Sequence, residues 1–192
     1  MTVGELAALA RRAQSGDAGA RDELLVELYC SVRKHVFLVL GSRTLVEDAV
    51  QETMLELYCG LSKFRGDASP RTWALTIATR VAHRLRAKEA RYDLAEDGTA
   101  DTTVFDAAPA EAAELVLLQR ALAKLTPKKR DAFALMAIFE LSAEDAGRVL
   151  EIPANTAASQ YRHARAELQA RFKRLDSPTR ADATRTPGAV ES

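Results

Sequence analysis

The apolar residues of this chain recur every three or four positions over most of its length. One such series is Leu25, Leu28, Val32, Val36 and Val39, and a later one is Trp73, Ile77, Val81 and Leu85. This period places the apolar side chains of a segment on one face of an α-helix. We find no stretch with the period-two alternation of a strand, so the pattern predicts an all-α protein.

Four helices are predicted in the first part of the chain. They cover residues 4–14, a segment ending near Leu40, residues 46–61, and a segment from Pro70 to about Arg91. Ser69 before Pro70 is typical of an N-cap followed by proline in the first helical turn. The third helix has a predicted inward face of Val50, Met54, Leu57, Tyr58 and Leu61. Four amphipathic helices with short links predict a compact domain over residues 1–92.

A second helical domain is predicted over residues 111–175. Thr126 before Pro127 and the capping pattern that begins at Ser142 both predict helix starts. The short helix after Ser142 leads into a turn over residues 151–155 and then a longer helix to about Leu175. Tyr161, Leu168 and Phe172 are the predicted inward residues of that last helix. A short helix, a tight turn and a longer basic helix are typical of a helix-turn-helix unit.

Between and after these domains the helical period is lost. Residues 93–110 are rich in Asp, Ala and Thr, which predicts a flexible acidic linker that spans ~60 Å when fully extended. Residues 176–192 are predicted to be a disordered tail.

Charge is distributed unevenly although the formal net charge is zero. Residues 1–92 carry 14 Lys and Arg against 11 Asp and Glu, and residues 115–175 carry 11 against 6. Residues 93–114 carry 7 acidic residues and no basic ones. Two basic lobes on an acidic link suggest modules that bind a polyanion, although a chance partition of surface charge gives the same pattern.

Composition argues against several other classes of protein. No stretch approaches the ~18 apolar residues of a membrane span, and Met1–Glu5 does not resemble a signal peptide. Cys30 and Cys59 are interpreted as small buried residues in a reducing cytoplasm, with a redox thiol pair as the alternative. The three histidines lie on different predicted helices without ligand spacing, so we expect no metal site and no cofactor. No nucleophile motif or phosphate-binding glycine loop is present, so we expect no catalytic site and no enzyme.

The last predicted helix has the chemistry of a DNA-reading helix. Near its start it carries the hydrogen-bonding side chains of Asn155, Thr156, Ser159 and Gln160. One turn later come the basic side chains of Arg162, His163 and Arg165. Amides and arginines can read base edges in the major groove, and cations hold the helix against phosphates. A solvated helix face of ordinary arginine content is the competing interpretation.

Two further segments of the first domain carry candidate binding chemistry. The outer face of the third helix combines acidic, amide and apolar side chains, which suit a basic protein surface better than DNA; its members are Glu47, Asp48, Gln51, Glu52 and Leu55. The following loop and helix start offer an aromatic ring, cations and a glycine turn, which suit unstacked bases and phosphates; they are Lys63, Phe64, Arg65, Gly66, Asp67, Ser69 and Arg71. The basic stripe of the next helix adds Arg80 and Arg84. Taken alone, the acidic stripe is more typical of a solvated helix face. Phe64 and Trp73 have the alternative of being core residues, and for Trp73 that interpretation is preferred.

Two distant segments of the chain, residues 47–73 and 125–156, resemble the two conserved domains of an extracytoplasmic-function (ECF) sigma factor. The resemblance includes their order and their separation along the chain. Asp48-Ala49-Val50-Gln51-Glu52 is similar to the region 2 motif that docks on the β′ clamp helices of RNA polymerase. Residues 111–174 resemble region 4, through matches that include Pro127, Arg130, Pro153 and Thr156. The resemblance covers about four fifths of the chain.

The resemblance implies a protein without catalytic activity that directs bacterial core polymerase to promoters from the cytoplasm. Residues 1–92 would bind β′, with Asp48, Gln51 and Glu52 foremost, and would capture a flipped base of the −10 element in the loop after the third helix. Residues 111–175 would bind the β flap and read the −35 element. Family members are often inhibited by an anti-sigma factor, so this partner is expected too.

The chain departs from the family pattern at several positions. Asn155, Ala157 and Ala158 stand where Gly, Val and Lys are usual, Gln160 where Arg is frequent, and Thr79-Arg80 where an Arg-Asn pair is typical. Two cations are therefore missing from the last helix, which lowers the expected −35 affinity. Two alternatives remain open: a stand-alone helix-turn-helix regulator, and a sigma-like decoy that only binds an anti-sigma factor.

Overall fold

The computed structural model describes residues 1–41, 43–93 and 109–176, and within them every regular element is helical. The α-helices are α1 (Val3–Gln14), α2 (Ala18–Leu40), α3 (Arg43–Gly60), α4 (Pro70–Asp93), α5 (Pro109–Ala123), α6 (Pro127–Phe133), α7 (Ala143–Leu150) and α8 (Ala154–Asp176). A 3₁₀ turn, Leu61–Lys63, follows α3, and a π-helical turn, Ala134–Ile138, extends α6. The all-α prediction is confirmed.

Local chemistry explains where the first helices begin and end. The Thr2 hydroxyl accepts from the Glu5 amide while the Glu5 carboxylate accepts from the Thr2 amide, which is a complete capping box for α1. The Asp17 carboxylate caps α2 by accepting from the Ala20 amide. Helix α2 ends at Gly41, whose φ of 75° is left-handed and favours glycine.

Helices α1 to α4 enclose one apolar core. Leu24, Leu28, Val32 and Val36 of α2 are buried in it together with Leu57 of α3 and Val81 of α4. Helix α4 starts as the sequence predicts, because the Ser69 hydroxyl accepts from the Thr72 amide at 3.0 Å and Pro70 occupies the first turn.

Helices α5 to α8 form the second half, with a helix-turn-helix made of α7 and α8. The predicted cap of α7 is confirmed, since the Ser142 hydroxyl accepts from the Asp145 amide at 3.0 Å. Glu151 ends α7 with a left-handed φ of 56°. A Cβ at Gly147 would lie 2.8 Å from the Ile152 carbonyl oxygen, so the close turn between α7 and α8 needs glycine there.

Several side chains lie where the sequence analysis did not expect them. Tyr58 and Phe172 were predicted to face inward, but they are 48% and 54% exposed. Both cysteines, expected to be buried, are exposed and free. Single apolar or thiol residues at the edge of an amphipathic stripe cannot be assigned to core or solvent by period alone, because the neighbouring helix decides what is covered.

The segments predicted as linker and tail lie almost wholly outside the described residues. Helix α4 continues through Asp93 and α5 begins at Pro109, so the ends of the predicted linker are helical. Helix α8 likewise includes Asp176.

The two halves pack against each other. Leu38 of α2 and Leu75 of α4 are completely buried, and they belong to the same apolar cluster as Leu122 of α5, Leu135 of the π-helical turn and Val149 of α7. We call this contact the interdomain seam. Among the helices that the structure describes, none has the length and hydropathy to cross a bilayer.

Candidate functional site

The outer face of α3 is exposed and carries both charge and apolar area. Asp48 and Gln51 are exposed, Glu52 is partly exposed, and Leu55 is 64% exposed. The opposite face, with Ala49, Thr53 and Leu57, is fully buried in the first core. The structure therefore presents four of the five predicted docking residues together, and it places the fifth, Glu47, on the exposed surface of the same helix.

The sequence analysis did not identify two exposed apolar residues of α2. Val26 is 70% exposed and Tyr29 is also exposed, although both belong to a largely buried helix. Helices α2 and α3 pack side by side, and the Arg21 guanidinium stacks 4.8 Å from the ring centroid of Tyr58. The positions of Val26 and Tyr29 outside the apolar period of α2 were the available sequence signal.

The loop after α3 is held in place by its own neighbours. Gln14 of α1 donates through its side-chain amide to the carbonyl oxygens of Leu61 and Phe64. The Phe64 ring lies 5.0 Å from the Trp73 ring, so both aromatic residues are half-buried against the first core. Trp73 is thus a core residue, and Phe64 shares that packing.

The cations of this loop point to solvent on a fixed backbone. Lys63, Arg65 and Arg71 are exposed, as are Gly66 and Asp67, while Ser69 is engaged in capping α4. A firmly held loop with exposed cations is suited to binding a phosphate chain without a large ordering cost.

The predicted DNA-binding arginines of α4 are paired with acidic residues of α3. Arg84 contacts Glu52 at 2.6 Å and Glu56 at 3.4 Å, and Arg80 contacts Glu56. The hydrogen bond to Glu52 is the main reason why the pKa of Arg84 is raised. Glu52, a predicted polymerase-docking residue, therefore shares one ion-pair network with Arg80 and Arg84, which are predicted DNA contacts. Glu56 belongs to the same network, although it was not identified from the sequence.

Helix α8 has one face buried against the second core and another face exposed to solvent. Ala157, Ala164 and Leu168 are buried against the second core, while Phe133 packs 5.9 Å from the ring of Tyr161. The predicted DNA-reading residues lie on the remaining surface: Asn155, Arg162, His163 and Arg165 are exposed, and Thr156, Ser159 and Gln160 are partly exposed.

The basic residues of this surface are available to an anion. Within the part of the chain that the structure describes, Arg162, His163 and Arg165 form no ion pair. By contrast, Lys129 and Arg171 both contact Glu167 at 2.9 Å, which ties α6 to α8 on another side. Ala157 is buried, whereas Ala158 and Gln160, the two positions without the expected cations, are partly exposed.

One groove brings the start of α4 close to the second half. It has a volume of about 290 Å³, and its lining includes Ser69 and Arg71 of the first half and Leu141, Ser142 and Asp145 of the second. Two residues predicted for the −10 site thus face the helix-turn-helix unit.

Each half of the chain matches the model of a known protein family. The model of sigma-70 region 2 matches residues 24–92, and the model of sigma-70 region 4 matches residues 115–168. Together these matches cover well over half of the chain, and they coincide with α2–α4 and with α5–α8.

Relatives in other bacteria agree with this assignment, and a solved structure has a similar fold. The chain is 26% identical to the ECF RNA polymerase sigma factor SigW of Bacillus subtilis, over 86% of this chain and 95% of that protein. It is 27% identical to the ECF RNA polymerase sigma-E factor of Haemophilus influenzae, over 88% and 95%. Its fold matches RpoE of Bartonella quintana, solved with the anti-sigma factor NepR, with a TM-score of 0.71, 23% identity and coverage of 81% and 98%.

Two helical halves that match sigma-70 regions 2 and 4, the second with a helix-turn-helix, place the chain among the sigma factors of bacterial RNA polymerase. The chain belongs to the sigma-70 family, in which it is an RNA polymerase sigma factor of the ECF type. The predicted family and fold are therefore confirmed.

Proposed function

We propose that this sigma factor joins core polymerase through α3, opens the −10 element with the loop after α3, and reads the −35 element with α8. The observation that carries the proposal is the presence, on one chain, of an exposed anionic and apolar face on α3 and an exposed basic face on α8. The first repels DNA and suits a basic protein surface, and the second suits DNA.

The docking surface of the proposal comprises Asp48, Gln51, Glu52 and Leu55 of α3. Its partner would be the β′ clamp helices. A stable protein interface needs a desolvated apolar centre as well as charge complementarity. Leu55, which is 64% exposed, supplies apolar area, and Asp48 and Glu52 supply charges that favour a basic partner.

The −10 contacts of the proposal come from the loop and from α4. Lys63, Arg65 and Arg71 would hold the phosphate chain of melted DNA, while Gly66, Asp67 and the exposed edge of Phe64 would line a base pocket. Arg80 and Arg84 would reach phosphates once they leave Glu52 and Glu56.

The −35 contacts come from the first three turns of α8. Asn155, Ser159 and Gln160 lie where a recognition helix meets base edges, and Arg162, His163 and Arg165 lie where it meets the phosphates. Ala158 and Gln160 offer no cation, so binding of an isolated −35 element would be weak.

Two protein partners complete the proposal, and both act in the cytoplasm. The β flap would contact the second half, where Leu117 of α5 and Phe172 of α8 are exposed apolar residues. An anti-sigma factor is supported by the solved relatives, since RpoE was determined with NepR and CnrH with the cytosolic domain of CnrY.

Run-off transcription with purified core polymerase tests the proposal against its two alternatives. We expect initiation from a promoter only when this chain is present. A stand-alone regulator would bind DNA without supporting initiation, and a decoy would bind an anti-sigma factor alone. Absence of binding to core polymerase would refute the proposal.

Removing the two arginines of α8 tests the DNA-reading surface. We expect the variant Arg162→Ala, Arg165→Ala to reduce the slope of log affinity against log salt by roughly 2, since each lost phosphate contact contributes about 0.9. The measurement is a salt titration of full-length protein on duplex DNA.

Arg120→Ala is the matched control, because it removes an exposed arginine from α5, which does not belong to the predicted DNA-reading surface on α8. An unchanged slope in the double variant, or an equal loss in the control, would contradict the assignment of α8.

A further inference from the structure

The first turns of α8 are held in one position by their contact with α7. The Ile152 amide donates to the Gly147 carbonyl oxygen at 3.0 Å, which closes the turn between the two helices. A Cβ at Gly147 would lie 3.2 Å from the Ala154 amide nitrogen, so the start of α8 passes close to the α7 backbone. The side chains on this part of α8 are therefore fixed in position relative to one another and to α7.

The buried face of α8 identifies the residues that point away from the second core. Ala157 and Ala164 are completely buried. Asn155, Ser159 and Arg162 follow one another at i, i+4 and i+7, so they lie on one side of the helix. Positions two residues apart are about 200° apart around a helix, which places this series opposite Ala157. Asn155 and Arg162 are exposed and Ser159 is partly exposed, as this placement requires. We call Asn155, Ser159 and Arg162 the groove stripe.

The neighbourhood of the groove stripe carries little charge of either sign. Ala158 and Gln160, which stand where the family pattern has Lys and frequently Arg, are neutral and partly exposed. Residues 152–166 contain no Asp or Glu, so no carboxylate within them opposes the approach of a phosphate. Selection among DNA sequences therefore depends more on hydrogen bonds from the groove stripe than on general attraction to phosphate.

The side chains of the groove stripe prefer different bases. The amide of Asn155 can accept from N6 and donate to N7 of adenine, and the guanidinium of Arg162 can donate to O6 and N7 of guanine. The hydroxyl of Ser159 both donates and accepts, so it does not discriminate between bases. Beside the stripe, the methyl group of Ala158 favours contact with the methyl group of thymine. Asn155 and Arg162 are thus the two residues that can specify a base through a bidentate contact.

The spacing of these two residues sets the spacing of the bases that they reach. Asn155 and Arg162 are seven residues apart, which corresponds to about 10.5 Å along the helix axis. Stacked base pairs are about 3.4 Å apart. A recognition helix presents its N-terminal residues to base edges in the major groove. When α8 lies along the groove, its two discriminating side chains therefore meet base pairs about three steps apart.

We propose that this sigma factor selects its −35 element through the groove stripe, with Asn155 specifying an adenine and Arg162 a guanine about three base pairs away. The inference rests on the proposed function, because it names the bases that the DNA-reading surface of α8 takes. Arg162 keeps its charge beside the phosphates while it donates to a base, so its contribution to the salt dependence of binding stays.

Selection of duplexes from a pool randomised over about ten base pairs tests the proposal without polymerase. The full-length chain is used at low salt, where its weak association with DNA is strengthened. We expect the enriched duplexes to contain an adenine and a guanine at the stated separation, each preferred about ten-fold over the other bases. Enrichment of no sequence, or of sequences that lack either base, would overturn the proposal.

Two substitutions are expected to exchange one base preference each. Asn155→Asp replaces the amide by a carboxylate, which accepts from the amino group of cytosine, so cytosine is expected in place of adenine. Arg162→Gln is expected to bring adenine in place of guanine and to leave the other position unchanged. Both side chains are exposed, so the buried face of α8 is retained. Wild-type preferences in both variants would overturn the proposal, because DNA shape and not these side chains would then select the duplex.

Gln169→Ala is the matched control on the same helix. Gln169 is an exposed amide 14 residues after Asn155, about 21 Å further along the same side of α8 and beyond the N-terminal turns that meet base edges. This variant is expected to enrich the same duplexes as wild type. If it changes a base preference as strongly as Asn155→Asp does, position in the groove stripe does not decide the choice of base and the proposal is wrong.

Run-off transcription separates this inference from the proposed function. If polymerase with the wild-type chain initiates from a promoter that carries the selected element, Asn155→Asp is expected to reduce initiation about ten-fold. Changing the selected adenine to cytosine is expected to restore most of that loss, and no restoration would overturn base reading by Asn155. If wild type fails to initiate, the proposed function is wrong, while the selected duplexes still decide which bases α8 reads.

Discussion

Core polymerase is expected to bind the variant Asp48→Lys, Glu52→Lys on the order of 100-fold more weakly than wild type at low salt, because reversed charges at an interface replace attraction by repulsion. Both side chains lie on the solvent side of α3, opposite the fully buried Ala49 and Leu57, so the fold is expected to survive. The measurement is a titration of labelled core polymerase with the full-length variant. Binding as tight as wild type would mean that α3 is not the docking helix.

Controls separate this effect from general electrostatics. Glu114→Lys changes an exposed carboxylate of α5 and is expected to leave core binding within a few-fold of wild type. Asp48→Lys alone is the cleaner single change, since Glu52 also contacts Arg84. If Glu114→Lys weakens binding as much as Asp48→Lys, net charge and not the α3 face governs association.

The stability of the folded chain is expected to fall by about 3 kcal/mol between pH 6.5 and pH 4 because of one histidine. His35 is completely buried, and burial lowers its pKa from 6.5 to about 4, with His83 acting in the same direction and Asp131 opposing it. The unfolded chain therefore binds a proton at a pH where the folded chain does not. Acid therefore favours unfolding. The stability associated with neutral His35 is fully present above pH 6.5 and is lost as the pH falls toward 4.

The hydrogen bonds around His35 agree with a neutral ring. Thr79 donates its hydroxyl proton to the Leu75 carbonyl, so Nε2 of His35 must donate to Thr79 Oγ1 at 2.8 Å. The proton thus belongs on Nε2, and Nδ1 is the atom without a partner. A second proton would have to be placed on Nδ1 in an apolar site, which is unfavourable.

Urea unfolding at several pH values measures this effect. His35→Gln keeps a side-chain N–H donor but cannot titrate. Between pH 7 and pH 5.5 the free energy of unfolding of wild type should therefore fall by about 1 kcal/mol more than that of the variant. His163→Gln, an exposed histidine of α8, should follow wild type. Carboxylates with lowered pKa values, such as Asp17 and Glu167, lose their stabilising contribution only when they are protonated at lower pH. Parallel curves for wild type and His35→Gln would contradict the burial of a neutral ring.

Local signals in the sequence predicted most of the helices correctly. Ser69-Pro70 and Ser142 begin α4 and α7 as expected, and Gly41 ends α2, because caps depend on a few neighbouring residues. The period of Leu28, Val32 and Val36 identified the buried face of α2 for the same local reason. The ECF resemblance rested on motifs from α3 to the start of α4 and from α6 to α8, and the family comparison confirms it.

The sequence was a poorer guide wherever a second element decides the outcome. Tyr58, Phe172 and both cysteines are exposed, although the helical period or the residue type predicted burial. The pairing of Arg84 with Glu52 joins residues 32 positions apart, and no spacing rule connects them. The residues of the candidate sites were chosen from motifs and remain predictions as binding residues, although their exposure on α3, the loop and α8 is now described.

By itself, the amino-acid sequence determined the helical class, the caps, the family and the identity of the charged faces, because each depends on short-range periodicity or on a contiguous motif. Only the tertiary structure decided that Leu38, Leu75, His35 and Asp131 are buried where the two halves meet. Their burial arises from contacts between residues distant in sequence, such as Asp131 with His83 and Arg130 with Val39. Such contacts are set by the packing of whole helices, and no local pattern encodes them.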